Sequence, residues 1–171
     1  MYIVKNFEFI GYDDFFTNVL PDIYDIVNSY GISDAIDEFV SALTEAICNA
    51  AIYSTDGMEY AKILMNIILT DDQIKITVSS VTVKFDANDF KTKLKKIAVS
   101  PDGNLDWQQF VGISQQGRGI WIMLSFFDAV CVGRDGNEIT LISRVPLRCA
   151  EVNTIKKIVH KFFVVQDGVI T

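Results

Sequence analysis

An α+β fold, in which hairpin-linked strands are covered on one face by helices, is what the order of patterns along the chain predicts. Three observations carry it. Short apolar segments of strand character are joined in pairs by the turn signals Asp71-Asp72 and Asp135-Gly136. Hydrophobic residues at helical spacing fill much of the stretch from Asp13 to Ser54 and return after Gly117. No internal repeat, low-complexity tract or linker divides the 171 residues, of which 50% are apolar, so residues 1–171 are expected to form one domain around one core.

Tyr2 to Ile10 carries β-branched and aromatic residues and stops at Gly11, which predicts an opening strand. A helix is expected from Asp13 or Asp14 to about Tyr30, with Pro21 as a break or kink and Gly31 as its end. Ser33 or Asp34 is placed to cap a second helix by accepting a backbone N–H, and Asp37 and Glu38 suit the positive end of its dipole. That helix should run to about Ser54, with Asp56-Gly57 as a turn beyond it. The near-continuous apolar run Ala61 to Leu69 reads as a buried strand, and Ile74, Ile76 and Val78 alternate as a second one.

After Phe85 the chain turns polar and is broken by Pro101, Asp102 and Gly103, so residues 86–116 are expected to be a lid-like insertion. Within it Phe90, Leu94 and Ile97 have the spacing of a short amphipathic helix. Lys91, Lys93, Lys95 and Lys96 on that helix are available to an anion, the plainer alternative being a solvated face. Gly117 to about Phe127 resumes as an apolar helix, and Val130 to Arg134 with Glu138 to Val145 forms a second hairpin. Glu151 to Val165, with Ile155, Ile158, Val159, Phe162 and Phe163 at helical spacing, predicts a last helix inside a C-terminal extension, residues 146–171.

Composition removes several classes of function. A formal charge of −7, from 22 acidic and 15 basic residues, argues against direct binding to nucleic acid or an anionic membrane. The longest apolar run, Ile120 to Phe127, is interrupted by Ser125, stopped by Asp128 and far shorter than the roughly 20 residues of a membrane helix. The opening MYIVKNFEFIGYDD lacks a basic leader, apolar core and cleavage site, so a cytoplasmic location is expected. Cys48, Cys131 and Cys149 are widely spaced, without a CxxC pair, and read as small buried hydrophobes. The single histidine, His160, leaves no basis for an HExxH metal site and reads as a polar position on the last helix.

Two constellations remain. On the helix carrying TEAICNAA, Phe39, Val40, Leu43, Ala46, Ile47 and Ala50 share a core face, and Glu45 and Asn49 project from the other side. Their neighbours there are Ser41, Ala42, Cys48 and Ile52, with only Glu38 charged, so that side looks half-covered. A carboxylate and an amide one turn apart can act together, because the amide oxygen can ligate a hard cation while the carboxylate orients or deprotonates a nucleophile. The alternative is a surface charge beside a packed amide. In SQQGRGIWIM, Gly117 and Gly119 flank the start of a helix, where backbone can approach a ligand closely and free N–H groups face an anion. Arg118 between them adds a charge or points to solvent, and an ordinary approach to a helix is the alternative here.

In this order, EAICN on a helix, a hairpin, a polar insertion, GRGI opening a helix and the final hairpin DAVCVGRDGNEITLISRV resemble the GHKL superfamily of ATP-binding domains. The likeness spans about residues 33 to 145 and is closest to the small anti-sigma-factor serine kinases. It implies the histidine-kinase-like ATPase fold, a two-layer sandwich of a mixed, mostly antiparallel sheet with helices on one face. It also implies ATP and Mg²⁺ as ligands, with Glu45 as general base and Asn49 as magnesium ligand. Gly117, Arg118 and Gly119 match the second glycine box against the phosphates, with residues 86–116 as the lid. The implied partners are a sigma factor and an anti-anti-sigma-like protein, with a homodimer left open. Where the family has DxGxG this chain reads SSVTVKF, which puts Ser80 at the aspartate that accepts from the adenine amino group. Losing a charge-assisted bond costs about 1.5–3 kcal/mol. Val81, Thr82 and Val83 also favour a continued strand over a tight turn. Two activities follow: an ATP- and Mg²⁺-dependent protein serine kinase, or the same fold kept as a non-catalytic interaction module.

Overall fold

Alternating apolar residues on consecutive segments assemble here into one twisted sheet, described by a computed structural model for residues 2–29, 35–83, 85–101, 116–148 and 155–171. Its strands are β1 (Tyr2–Ile10), β2 (Lys62–Thr70), β3 (Gln73–Ser80), β4 (Ala129–Gly133), β5 (Glu138–Arg144), β6 (Phe162–Gln166) and β7 (Val169–Ile170). Their spatial order is β1-β2-β3-β5-β4-β6-β7. Every neighbouring pair is antiparallel except β4 and β6, which run parallel. The helices are α1 (Gly11–Asp14), α2 (Leu20–Ser29), α3 (Ile36–Ile52), α4 (Ala87–Val99), α5 (Gln116–Phe126) and α6 (Ile155–Ile158). The fold is the expected α+β arrangement of a mixed, mostly antiparallel sheet with helices.

Ile63, Met65, Ile67 and Leu69 of β2 and Ile74, Ile76 and Val78 of β3 are buried beneath the helices. On either side of Ile63, Lys62 and Leu64 turn to the opposite face, where Leu64 is 50% exposed. The run expected as a buried strand is therefore buried on alternate residues only, as an antiparallel sheet covered on one face requires. From the helical layer, α3 contributes Phe39, Leu43 and Ile47, all fully buried. The Phe39 ring meets Phe126 and Phe127 edge-on at 6.0 and 5.9 Å. Among the described residues no helix is long and apolar enough to cross a membrane.

The expected break at Pro21 takes a different form. Between α1 and α2 the chain stays helical but widens into a π turn over Phe15–Val19, where the Leu20 N–H donates to the Phe15 carbonyl five residues back. Proline has no N–H and its ring clashes with the carbonyl four residues earlier; a wider turn just before Pro21 relieves both. The second helix ends at Ile52 rather than Ser54, and Ala35 at its start makes no side-chain cap. Ser33, Asp34 and Gly31 lie outside the described residues.

The C-terminal expectation needs correction. Instead of a helix through Val165 there is one turn, α6, then a short 3-10 turn (Val159–Lys161) and the strands β6 and β7. Phe162 and Val164 are buried, while Phe163 and Val165 are partly exposed on the other face, a period of two. In a short apolar run the two periods are hard to separate. Aromatic and β-branched residues, with the edge of β4 available for pairing, decide for the strand. His160 is accordingly exposed on the 3-10 turn rather than on a helix. Cys131 is buried, Cys48 is only half-buried, and Cys149 lies outside the described residues.

Candidate functional site

The site is built on α3, whose apolar stripe fastens it to the sheet and leaves Glu45, Cys48 and Asn49 half-buried along its flank. The flank is covered by α5. A Cβ placed on Gly119 would lie 2.7 Å from Glu45 Oε2 and 3.5 Å from Asn49 Nδ2, so only glycine lets the two helices approach with those side chains where they are. Gly117 is buried one residue pair earlier on α5, whereas Arg118 between them is exposed. The fold thus brings Glu45, Asn49 and Gly119 together and leaves Arg118 outside that group.

A cleft of about 480 Å³ opens beside Asn49. Its floor is apolar, formed by Ala46, Ala50, Val78, Ile120, Val132 and Ile139. Asn49, Ser80, Thr82 and Asn137 set polar groups around it, and Asp89, Phe90 and Lys93 of α4 line a further wall. An apolar slot with a few converging polar groups is the usual form of a small-molecule site. α4 is started by Asp86, whose carboxylate accepts from the Asn88 and Asp89 N–H groups at 3.0 Å each. Asp89 pairs with Lys93 at 2.7 Å across one exposed turn.

Ser80 ends β3 at the far end of the cleft. It is buried, and its hydroxyl donates to the Ala50 carbonyl of α3 at 3.2 Å. Beyond it the chain stays extended. Thr82 bridges to Ser54, the Val83 N–H donates to the Tyr53 carbonyl at 2.8 Å, and the Thr55 N–H donates to that of Val81 at 2.9 Å. On its other side, the N–H and hydroxyl of Thr82 both donate to Asn137 Oδ1, at 3.1 and 3.0 Å. Asn137 is a site residue that sequence reading missed: the Asp135-Gly136 turn drew attention to the hairpin and away from the side chain that follows it.

Glu45 shapes the electrostatics next to the cleft. Burial, then the Glu45 carboxylate, pushes the Cys48 thiol up from its ordinary value. Burial first, with Cys48, Glu45 and Asp13 adding to it, raises the Tyr12 phenol as well. Tyr12 of α1 is thus a second neighbour the sequence did not point to, because its closeness to α3 depends on the helical layer as a whole. Of the predicted lysine run, Lys91 is pushed down by burial and then by Lys95.

A family model described as the histidine kinase-like ATPase domain matches residues 26–143, more than half of the chain. The chain belongs to that family. No curated protein matches it. The matched stretch of this histidine kinase-like ATPase domain contains α3, β2 to β4, all of β5 but its last residue, α4 and α5, and with them Glu45, Asn49, Ser80 and Gly117 to Gly119. β1 and α1 lie before it, and α6, β6 and β7 lie beyond it.

Proposed function

We propose that the cleft binds ATP with Mg²⁺, and that the domain is a protein serine kinase that phosphorylates an anti-anti-sigma-like partner and also sequesters a sigma factor. The observation that carries this reading is the meeting of Gly119 with Glu45 and Asn49, three residues from two distant helices gathered beside an apolar cleft. The donor set suits the ligands. With no Cβ, Gly119 leaves its backbone uncovered where it faces Glu45 and Asn49, so a ligand held by those side chains can reach it. Asn49 would hold the cation through its amide oxygen, a hard ligand of the kind Mg²⁺ takes beside phosphate oxygens and water. Among the described residues no three His, Cys, Asp or Glu side chains cluster as a separate metal cage.

In the reaction, Glu45 accepts the proton of the partner's serine hydroxyl as that oxygen attacks the γ-phosphorus. The bond between this phosphorus and the β,γ-bridging oxygen breaks, and ADP leaves with the electron pair. Backbone N–H groups at the start of α5 donate to the phosphate oxygens, as unpaired donors at a helix N-terminus do. Mg²⁺ held by Asn49 would neutralise part of the phosphate charge. In this reading α4 lies beside the nucleotide as one wall of the cleft, and residues 102–115 of the expected lid lie outside the described residues.

One observation favours a second reading, a non-catalytic protein-binding module. Ser80, at the position expected for the family's aspartate, is neutral, and its hydroxyl donates to the Ala50 carbonyl. Conversion of Mg²⁺-ATP to ADP by the purified protein, beside Glu45→Gln, separates the two. The kinase reading expects slow ADP formation that falls at least about a hundredfold in Glu45→Gln while ATP affinity is kept. ATP binding with no ADP formed, or ADP formation indifferent to Glu45→Gln, supports the module instead.

A further inference from the structure

Residues 155–171 lie beyond the stretch that matches the family, yet one wall of the cleft rests on them. Among the described residues, the elements against which α4 chiefly packs are β6, α6 and the 3-10 turn, all of them in that extension. The contact is aromatic at its centre. Phe162, buried on β6, has its ring 5.5 Å from that of Phe90, which in turn lies 5.6 Å from Phe85. Phe85 and Phe90 both line the cleft. At the outer end of the same contact, Lys91 Nζ donates to the backbone oxygen of Thr171. Thr171 is itself held to Val164 of β6 by backbone bonds of 3.0 and 3.3 Å.

The extension reaches α5 too. Lys161, half-buried after α6, donates from Nζ to the Leu124 carbonyl at 3.2 Å. Leu124 lies in the last turn of α5, where carbonyls have no partner within the helix and a cation is favoured by the dipole. The parallel pairing of β6 with β4, Val130 beside Phe162 and Val132 beside Val164, supplies the rigid base from which both attachments are made. α4 and α5 are thus tied to one short segment.

We propose that residues 155–171 act as a brace for the cleft, with Phe162, Lys161 and Lys91 as positioning residues that hold α4 and α5 at the spacing the ligand requires. The brace sets ligand affinity without touching the ligand. Its effect on affinity rests on the reading that the cleft takes Mg²⁺-ATP, whereas its effect on α4 does not.

Hydrogen exchange on the full chain, with calorimetric titration of Mg²⁺-ATP on the same samples, tests this. In Phe162→Ala the amides of α4 are expected to exchange about tenfold faster, and in Lys91→Met about threefold faster, with β2 and β3 unchanged. ATP affinity should weaken by about three- to tenfold in both, and Lys161→Met should weaken it where Lys161→Arg restores it. Unchanged α4 exchange overturns the brace, and loosened α4 with unaltered ATP affinity overturns its role in setting affinity. If Phe162→Ala fails to fold, Lys91→Met decides, since it removes a surface charge and keeps the side-chain stem. If the wild type binds no ATP while α4 loosens as expected, the brace stands and the nucleotide reading falls.

Discussion

Gly119 is where stability and function separate at the level of one residue. Its missing Cβ would meet the far end of the flexible Glu45 side chain at 2.7 Å, so Gly119→Ala displaces a carboxylate rather than backbone. Alanine is also the better helix former by about 1 kcal/mol. The thermal midpoint of Gly119→Ala should therefore hold or rise, while the added methyl obstructs the backbone and Mg²⁺-ATP affinity drops by about tenfold; equal affinity would deny that the phosphates approach Gly119. A second prediction concerns Cys48, raised first by burial and then by Glu45. Both causes disfavour the thiolate, so in a chain with Cys131→Ala and Cys149→Ala its alkylation should have a pH midpoint above that of a free thiol, about 8.5. Adding Glu45→Gln removes one cause and should lower the midpoint; no change would mean the carboxylate does not face the thiol. The Glu45 and Asn49 pair was legible because their side of the helix carries too few charges for a solvated face. Where the Ser80 hydroxyl goes was not, since its acceptor, the Ala50 carbonyl, is distant in the chain.

Among the elements, α4 and the turn into α1 carry the clearest consequences. Asp86→Ala removes the acceptor for two N–H groups at the start of α4 and should cost about 1 kcal/mol in urea denaturation. Faster exchange concentrated in the first turn of α4 would locate that loss. Gly11→Ala should cost more: φ there is +72°, and a Cβ would lie 2.7 Å from the Glu59 backbone oxygen. The left-handed backbone alone contributes about 1–2 kcal/mol, and no neighbouring side chain can move to relieve the contact. Elements set by local pattern were legible: β1, both hairpins, the core face of α3 and the amphipathic α4. Those set by neighbours were not. β6 shares its spacing with a helix until β4 is there to pair with, and the π turn before Pro21 answers a clash that sequence reading took for a kink.

For the whole molecule, the α+β class followed from the order of elements, and consecutive hairpins implied antiparallel pairs. The insertion of β5 between β3 and β4, and the parallel β6 beyond β4, are long-range choices that local periodicity does not encode. They matter to function because they put Ser80 beside Asn137 and carry the C-terminal extension to α4 and α5. With the family shown, the function turns on whether Mg²⁺-ATP occupies the cleft beside Asn49. Calorimetric titration of ATP into the full chain, with Mg²⁺ and with EDTA, beside Asn49→Ala, addresses that most directly. The expected result is saturable binding that weakens by about tenfold or more when Mg²⁺ is chelated, and a similar loss in Asn49→Ala that Mg²⁺ no longer changes. Absence of ATP binding, or binding indifferent to both Mg²⁺ and Asn49→Ala, would refute a magnesium-dependent nucleotide site in this cleft.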